Sequence, residues 1–203
     1  MAYIFSPIYQ TFWLMAVVFL GLCLGSFAGA LAHRLPRNIS IRGKSRSACP
    51  SCDHVLHKKD LIPVISWLVQ RGKCRYCSTP ISADYVLIEM LTMILALAFF
   101  LLYGFQPLTV ILVLTAPVLS AMFFIDLRHM LIHDVMNIAL GVLAMCAIVA
   151  SSFMVPTHIV ENILLQSVVG GGMYFALALL ITIIMSKLLK KQAMGGGDIK
   201  FFA

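Results

Sequence analysis

Five continuous apolar runs, Thr11–Ala32, Tyr85–Tyr103, Leu108–Ile125, Val135–Val155 and Asn162–Ser186, constrain this chain more than any motif does. A helix needs about 20 apolar residues to cross a bilayer, and each run is close to that length. The runs do not alternate with period two, so they predict helices and not the strands of a membrane barrel. Hydrophobic residues make up 61% of the chain and charged residues 11%, with a mean hydropathy of +0.98. Those values exclude an ordinary soluble domain. The expected fold is an all-α polytopic membrane protein with about five transmembrane helices. The first run is not expected to be a cleavable signal peptide, because no Lys or Arg precedes it and a basic segment follows it directly.

Orientation follows from the basic residues. All fifteen Lys and Arg fall in three stretches, from Arg34 to Arg75, at Arg128, and from Lys187 to Lys200. These stretches lie on alternate sides of successive spans, so they share one face of the membrane. The intervening connections, around Gly104–Pro107 and Pro156–Glu161, carry no basic residue. The positive-inside rule then puts the N-terminus outside and the basic stretches in the cytoplasm. The net charge of +7 is read as topology, with attraction of anionic lipid or an acidic partner as a secondary role. Nucleic acid is not an expected partner, since no aromatic stripe interleaves the basic residues.

Between the first two spans, His33 to Asp84 forms a polar insert of about fifty residues. It contains Cys49-Pro50-Ser51-Cys52 and Cys74-Arg75-Tyr76-Cys77, with 21 residues between the pairs. Two CxxC knuckles can complete a tetrahedral four-cysteine zinc site, and four protein ligands leave no open position, so the metal is read as structural. An insert this small buries little core and benefits from a metal staple. Disulfides are the rival, disfavoured by reduced cytoplasmic thiols. Cys23 and Cys146 lie within apolar runs and read as small packing residues.

Only eight acidic residues occur in the chain, and two stand where lipid tolerates them least. Asp126 ends the third run, and Asp198 lies in Met194-Gly195-Gly196-Gly197-Asp198-Ile199-Lys200. An ionisable group at the edge of a span marks a candidate functional site. The topology puts both on the cytoplasmic boundary, where two carboxylates that meet can act as an aspartyl protease. Each also has a bland reading. Asp198 can cap a helix beginning at Ile199, although a cap does not require three glycines. Asp134, just before the fourth run, fits a helix cap. His129 and His133, four residues apart, could bind a metal with Asp126 if they shared a helix, but no HExxH motif accompanies them.

Gly21, Gly25 and Gly29 recur every four residues in the first run, a small-xxx-small face suited to close helix packing. Gly170-Gly171-Gly172 in the fifth run reads similarly, or as a local weakness in the helix. Glu89, one turn into the second run, is read either as a contact supporting the active site or the substrate's leader, or as a snorkelling structural glutamate.

These features in this order resemble the type IV prepilin peptidases, from the first span to the last residue. Gly25-Ser26-Phe27 and His33-Arg34-Leu35-Pro36-Arg37 match the family's GSF and RLP segments. The paired CxxC motifs follow, then Ile62-Pro63, Ser66-Trp67-Leu68, and Tyr85 with Glu89. Ile125-Asp126 and the Gly195, Gly197, Asp198 pattern complete the set. The resemblance implies that Asp126 and Asp198 are the catalytic pair of a GxGD aspartyl protease of the bacterial inner membrane. It implies cleavage of a short basic leader from type IV prepilins or pseudopilins, after a glycine and before the apolar pilin helix. It further implies N-methylation of the new N-terminal residue with S-adenosylmethionine; no glycine-rich loop in the chain indicates where that methyl donor binds. The sequence departs from the family by His133 where proline is usual, and by ending at Ala203 where further apolar spans are usual.

The expected organisation is a first span over 1–32, a cytoplasmic zinc-binding domain over 33–84, and a transmembrane peptidase domain over 85–203 carrying both aspartates. The alternatives are a truncated or inactive homologue serving as a zinc-stabilised membrane assembly protein, and a proton or metal transporter. The transporter reading requires acidic groups near mid-membrane, whereas both aspartates stand at span ends.

Overall fold

The computed structural model describes residues 7–37, 39, 47–131 and 133–152, with further helical residues at 165–166, 168–173, 176–177 and 180. Among these the protein is helical, with two isolated β-bridges in place of a sheet. The long helices are α1 (Pro7–Arg34), α3 (Asp84–Tyr103), α4 (Pro107–His129) and α5 (Asp134–Ser152); α2 (Ile65–Val69) is a single short turn of the polar insert. The four long helices are long and apolar enough to cross a membrane. They correspond to the first four predicted spans, and most of the fifth lies outside the described residues.

The chain divides into two compact units, Met1–Phe124 and Ile125–Ala203. In the first, α1 packs along α3 through its glycine face. A Cβ on Gly21 would stand 2.8 Å from the Cα of Met93, and one on Gly25 would stand 2.5 Å from the Cα of Glu89. Gly29 continues the row against the Tyr85 ring. Steps of four on α1 meet steps of four on α3 in reverse order, so the helices run antiparallel and their backbones touch where no side chain intervenes. The predicted packing role of these glycines holds.

The termini follow local chemistry. The Ser82 hydroxyl accepts the Asp84 N–H at 3.2 Å where α3 begins. Gly104, at φ +67, ends α3 by donating to the Phe100 carbonyl. Pro107 then opens α4, where its missing N–H costs nothing. Pro117 lies inside α4, which a membrane helix tolerates when its freed carbonyl finds another partner. Thr92 and Ser120, both fully buried, donate to carbonyls of their own helices.

Among the described residues, Val17, Ala96 and Val113 form a buried cluster, with Leu24, Phe99 and Phe100 against them. Phe19, Leu101, Leu102 and Val110 point outward instead, as expected of helices that present apolar side chains to lipid. At the end of α1 away from the polar insert, Trp13 packs on Phe105 with ring centroids 4.6 Å apart, beside Tyr9 and Phe12. Amphipathic rings gathered at one end of the spans have the character of an interfacial aromatic belt.

Candidate functional site

The cysteine insert is built from one motif used twice. In the first copy the Cys49 N–H donates to the His54 carbonyl, Asp53 N–H to the Cys49 carbonyl, and Leu56 N–H to the Ser47 carbonyl. In the second, Cys74 donates to Thr79, Ser78 to Cys74, and Ile81 to Gly72. Every bond repeats with an offset of 25 residues, as Cys49 to Cys74. The residue after each second cysteine, Asp53 or Ser78, has a positive φ, 53° and 59°. Such left-handed turns turn the backbone back so that both thiols of a knuckle face the same way.

The four sulfurs meet. The Sγ atoms of Cys49, Cys52, Cys74 and Cys77 all lie within 4.8 Å of one another, and those of Cys49 and Cys77 are 3.8 Å apart. None is in a disulfide. Hydrogen bonds from the Thr79 hydroxyl and backbone N–H draw the Cys77 thiol down to about 6. The His54 N–H favours ionised Cys52, but desolvation and its neighbouring thiols outweigh it and push Cys52 up to about 12. Like charges this close oppose one another, and a central cation is what lets all four ionise. The cluster could hold a metal ion.

Asp60 holds the insert together, a role that sequence reasoning missed. Its carboxylate accepts the Tyr76 hydroxyl at 2.9 Å, the His57 N–H at 3.2 Å and a Gln70 amide hydrogen at 3.4 Å. Arg75 Nε lies 2.9 Å away, and the Asp60 side chain is 1% exposed. Burial alone would raise this carboxyl, but the bonds from Tyr76 and His57 and the Arg75 charge hold it below the usual carboxylate range. Tyr76 in turn stacks on His54 with ring centroids 3.6 Å apart. Since Tyr76 and Arg75 belong to the second knuckle and His54 to the first, this network fastens the two. Gly72 also proves necessary, because its φ is +68° and a Cβ there would lie 2.9 Å from the Trp67 ring.

Glu89 reaches out of α3 into the insert. The Val64 N–H donates to its carboxylate at 2.6 Å, and the Ser26 hydroxyl of α1 also bonds to it. One buried side chain thus joins α1, α3 and the Ile62-Pro63-Val64 segment. The geometry gives it a structural role as a clamp between α3 and the insert, with its head turned away from water: this residue is only 9% exposed.

Asp126 lies on the last turn of α4 and is exposed. Its carbonyl accepts the Met130 N–H at 2.8 Å, and Met130, at φ 51°, leaves the helix there. Asp198 falls outside the described residues. His129 ends α4, whereas His133 precedes α5 and its carbonyl accepts the N–H groups of Met136 and Asn137. The helix break removes the one-face geometry that a metal at His129 and His133 required. Among the described residues the cysteine tetrad is the cluster with metal-ligand geometry. Asp134 occupies the first turn of α5, where a carboxylate favours the helix dipole.

Comparison with known proteins accounts for almost the whole chain. Residues 19–103 match the bacterial peptidase A24 N-terminal domain, and residues 112–203 match the type IV leader peptidase family. A prepilin leader peptidase/N-methyltransferase from Myxococcus xanthus is 32% identical over 96% of this chain and 54% of the relative. The protein of that name from Aeromonas hydrophila is 32% identical over 94% of this chain and 72% of its own length. The one from Vibrio cholerae is 29% identical over 89% and 71%. The chain therefore spans about half the length of the first relative and under three-quarters of the others. No solved structure matches it.

Proposed function

From a chain that belongs to the type IV leader peptidase family, we propose a membrane-bound aspartyl endopeptidase that removes the basic leader of type IV prepilins or pseudopilins and then N-methylates the new N-terminus. The observation that carries this reading is family membership across both halves of the chain. Asp126 and Asp198 are the proposed catalytic pair. Exposure of Asp126 at the end of an apolar helix supports its part, because a substrate can reach it where lipid gives way to water.

Two carboxylates about 3 Å apart cannot both ionise cheaply, so the pair shares one proton. The ionised member takes a proton from water as the water attacks the scissile carbonyl, and the protonated member hydrogen-bonds that carbonyl oxygen and protonates it. No acyl-enzyme forms: the tetrahedral diol collapses as one carboxylate takes back a hydroxyl proton and the other carboxyl gives its proton to the leaving amine, breaking the C–N bond and restoring the singly protonated pair. The two roles belong to the pair and not to either residue alone. A cytoplasmic boundary position lets a basic leader stay in water while the pilin helix stays in lipid, with the N-terminus of the enzyme in the periplasm.

Zinc is the proposed metal of the tetrad. Zn–S bonds of about 2.3 Å in a tetrahedron put sulfurs about 3.8 Å apart, the separation found between Cys49 and Cys77. With four thiolates bound it stabilises the 33–84 domain and takes no part in hydrolysis. S-adenosylmethionine, when bound, supplies an electrophilic methyl group for the second reaction. Asp126→Asn and Asp198→Asn should each abolish cleavage of a prepilin by the enzyme while Asp134→Asn retains it. Near-parent cleavage by Asp126→Asn would overturn the pair.

A further inference from the structure

The short helix α2 is amphipathic in the reverse sense for a polar insert. Its half-buried side carries Ser66 and Trp67, with Trp67 Nε1 donating to the Ile81 carbonyl at 3.2 Å and the indole ring against Gly72. Its outer side carries Ile65, Leu68 and Val69, which are 56%, 59% and 69% exposed, at the i, i+3, i+4 spacing of one helix face. Leu61 and Ile62, just before the helix, are exposed as well. Aliphatic side chains exposed together in this way mark a protein or membrane contact. Lys58 and Lys59 precede the segment and Arg71 and Lys73 follow it, all exposed.

The Glu89 clamp fixes the level of this segment against the spans. α3 has 20 residues, and at about 1.5 Å per residue it covers about 30 Å, the thickness of the hydrocarbon core. Glu89 stands about 8 Å along that axis from Asp84 and bonds Val64, the residue before α2. An interfacial helix seats its apolar face about 5–10 Å into the boundary between headgroups and acyl chains, so the clamp holds α2 near the level such a helix occupies. The exposed apolar surface of α3 begins at the same level, with Leu87 and Met90.

We propose that α2, with Leu61 and Ile62, is an interfacial anchor whose aliphatic face is seated in the bilayer surface and whose flanking cations bind anionic headgroups. Charge selects this occupant. Lys58, Lys59, Arg71 and Lys73 attract anionic lipid, whereas they repel the basic leader of the proposed substrate. A second copy of the chain, docked through the same patch, would bring the same four cations together. The inference goes beyond the proposed function, because it requires only that α3 cross the membrane and is independent of both reactions.

Photocrosslinking of the full, zinc-loaded chain tests the anchor directly. The chain is placed in vesicles of phosphatidylglycerol and phosphatidylcholine in equal parts, and adducts are identified by mass. Val69→p-benzoylphenylalanine should capture lipid, as the same label must at Leu102, which is 76% exposed on α3. Phosphatidylglycerol should be enriched in those adducts about twofold or more over its share of the bilayer. Adding Lys58→Gln, Arg71→Gln and Lys73→Gln should return it to that share; Lys59 is kept because its charge acts on Asp60. Excess prepilin should leave the lipid adducts unchanged. If the Val69 variant fails to retain zinc, Leu68→p-benzoylphenylalanine asks the same question from the neighbouring exposed position. Adducts at Leu102 but none at Val69 or Leu68 put the patch in water and overturn the anchor. Crosslinks into the chain itself or a second copy in place of lipid overturn it in favour of a protein contact, and displacement of lipid by prepilin overturns it in favour of the substrate. Equal capture of the two lipids by the parent overturns the headgroup role of the cations.

Discussion

The backbone N–H of Val64 donates a 2.6 Å hydrogen bond to the carboxylate of Glu89, joining the cysteine insert to a membrane helix. Val64 has a φ of 59°, a conformation that a β-branched residue adopts only under constraint, at a cost of about 1–3 kcal/mol. A buried hydrogen bond contributes about 0.5–1.5 kcal/mol, which offsets part of that strain. Glu89→Ala should therefore release the insert from α3, while Glu89→Gln retains an acceptor. Faster hydrogen exchange over residues 60–70 in the alanine variant, with the spans still protected, is the expected readout; unchanged exchange would remove the clamp.

The α1–α3 contact gives a graded expectation. A Cβ on Gly25 meets the Cα and carbonyl of Glu89 at 2.5 and 2.9 Å, whereas one on Gly29 meets the Tyr85 ring at an ordinary 3.5 Å. Gly25→Ala should cost about 1–3 kcal/mol by overpacking, and Gly29→Ala much less. Thermal unfolding in detergent ranks the two, and equal midpoints would contradict the register.

Asp60 makes the insert acid-sensitive. Its folded-state carboxyl lies below the usual range, so its contribution is complete above the unfolded value of roughly 3.9 and fades as pH falls through the lower folded value. Asp60→Asn should lose about 1–3 kcal/mol at neutral pH, because Tyr76 and Arg75 lose a charged acceptor. It should also flatten the acid limb of the stability curve. A mutant with the parent's acid limb would assign that limb to other carboxylates.

Metal dependence should follow the scaffold. Replacing Cys49, Cys52, Cys74 or Cys77 by Ser should lower zinc from one ion per chain and loosen residues 47–83, since metal binding supplies folding free energy to so small a domain. Elemental analysis measures the first effect and limited proteolysis the second. Chelators should act slowly, through unfolding. Rapid, reversible inhibition would point to a metal in the chemistry.

The two proposed reactions should separate. Methyl transfer requires a free amine attacking an electrophilic methyl group and has no use for a carboxylate pair. Asp126→Asn should thus still methylate a pre-cut pilin at close to the parent rate, counted as incorporated radiolabel. Loss of both activities in folded protein would show one shared site.

The amino-acid sequence alone determined the four described spans, because hydrocarbon thickness acts on each run separately and needs no partner. It determined the two knuckles too, since a CxxC turn is local and the metal chemistry of four cysteines is legible from type and spacing. The glycine face on α1 was readable for the same reason, although its register against Met93, Glu89 and Tyr85 was not. Only tertiary structure decided the roles of Asp60 and Glu89. Asp60 works through Tyr76 and Arg75, and Glu89 through Val64 and Ser26, partners distant in sequence and unmarked by any period. The His129 and His133 pairing failed at a single backbone angle, the left-handed φ of Met130. A run of residue types does not reveal such an angle, because Met is an ordinary helix former and the break is imposed by where α4 must end and α5 begin.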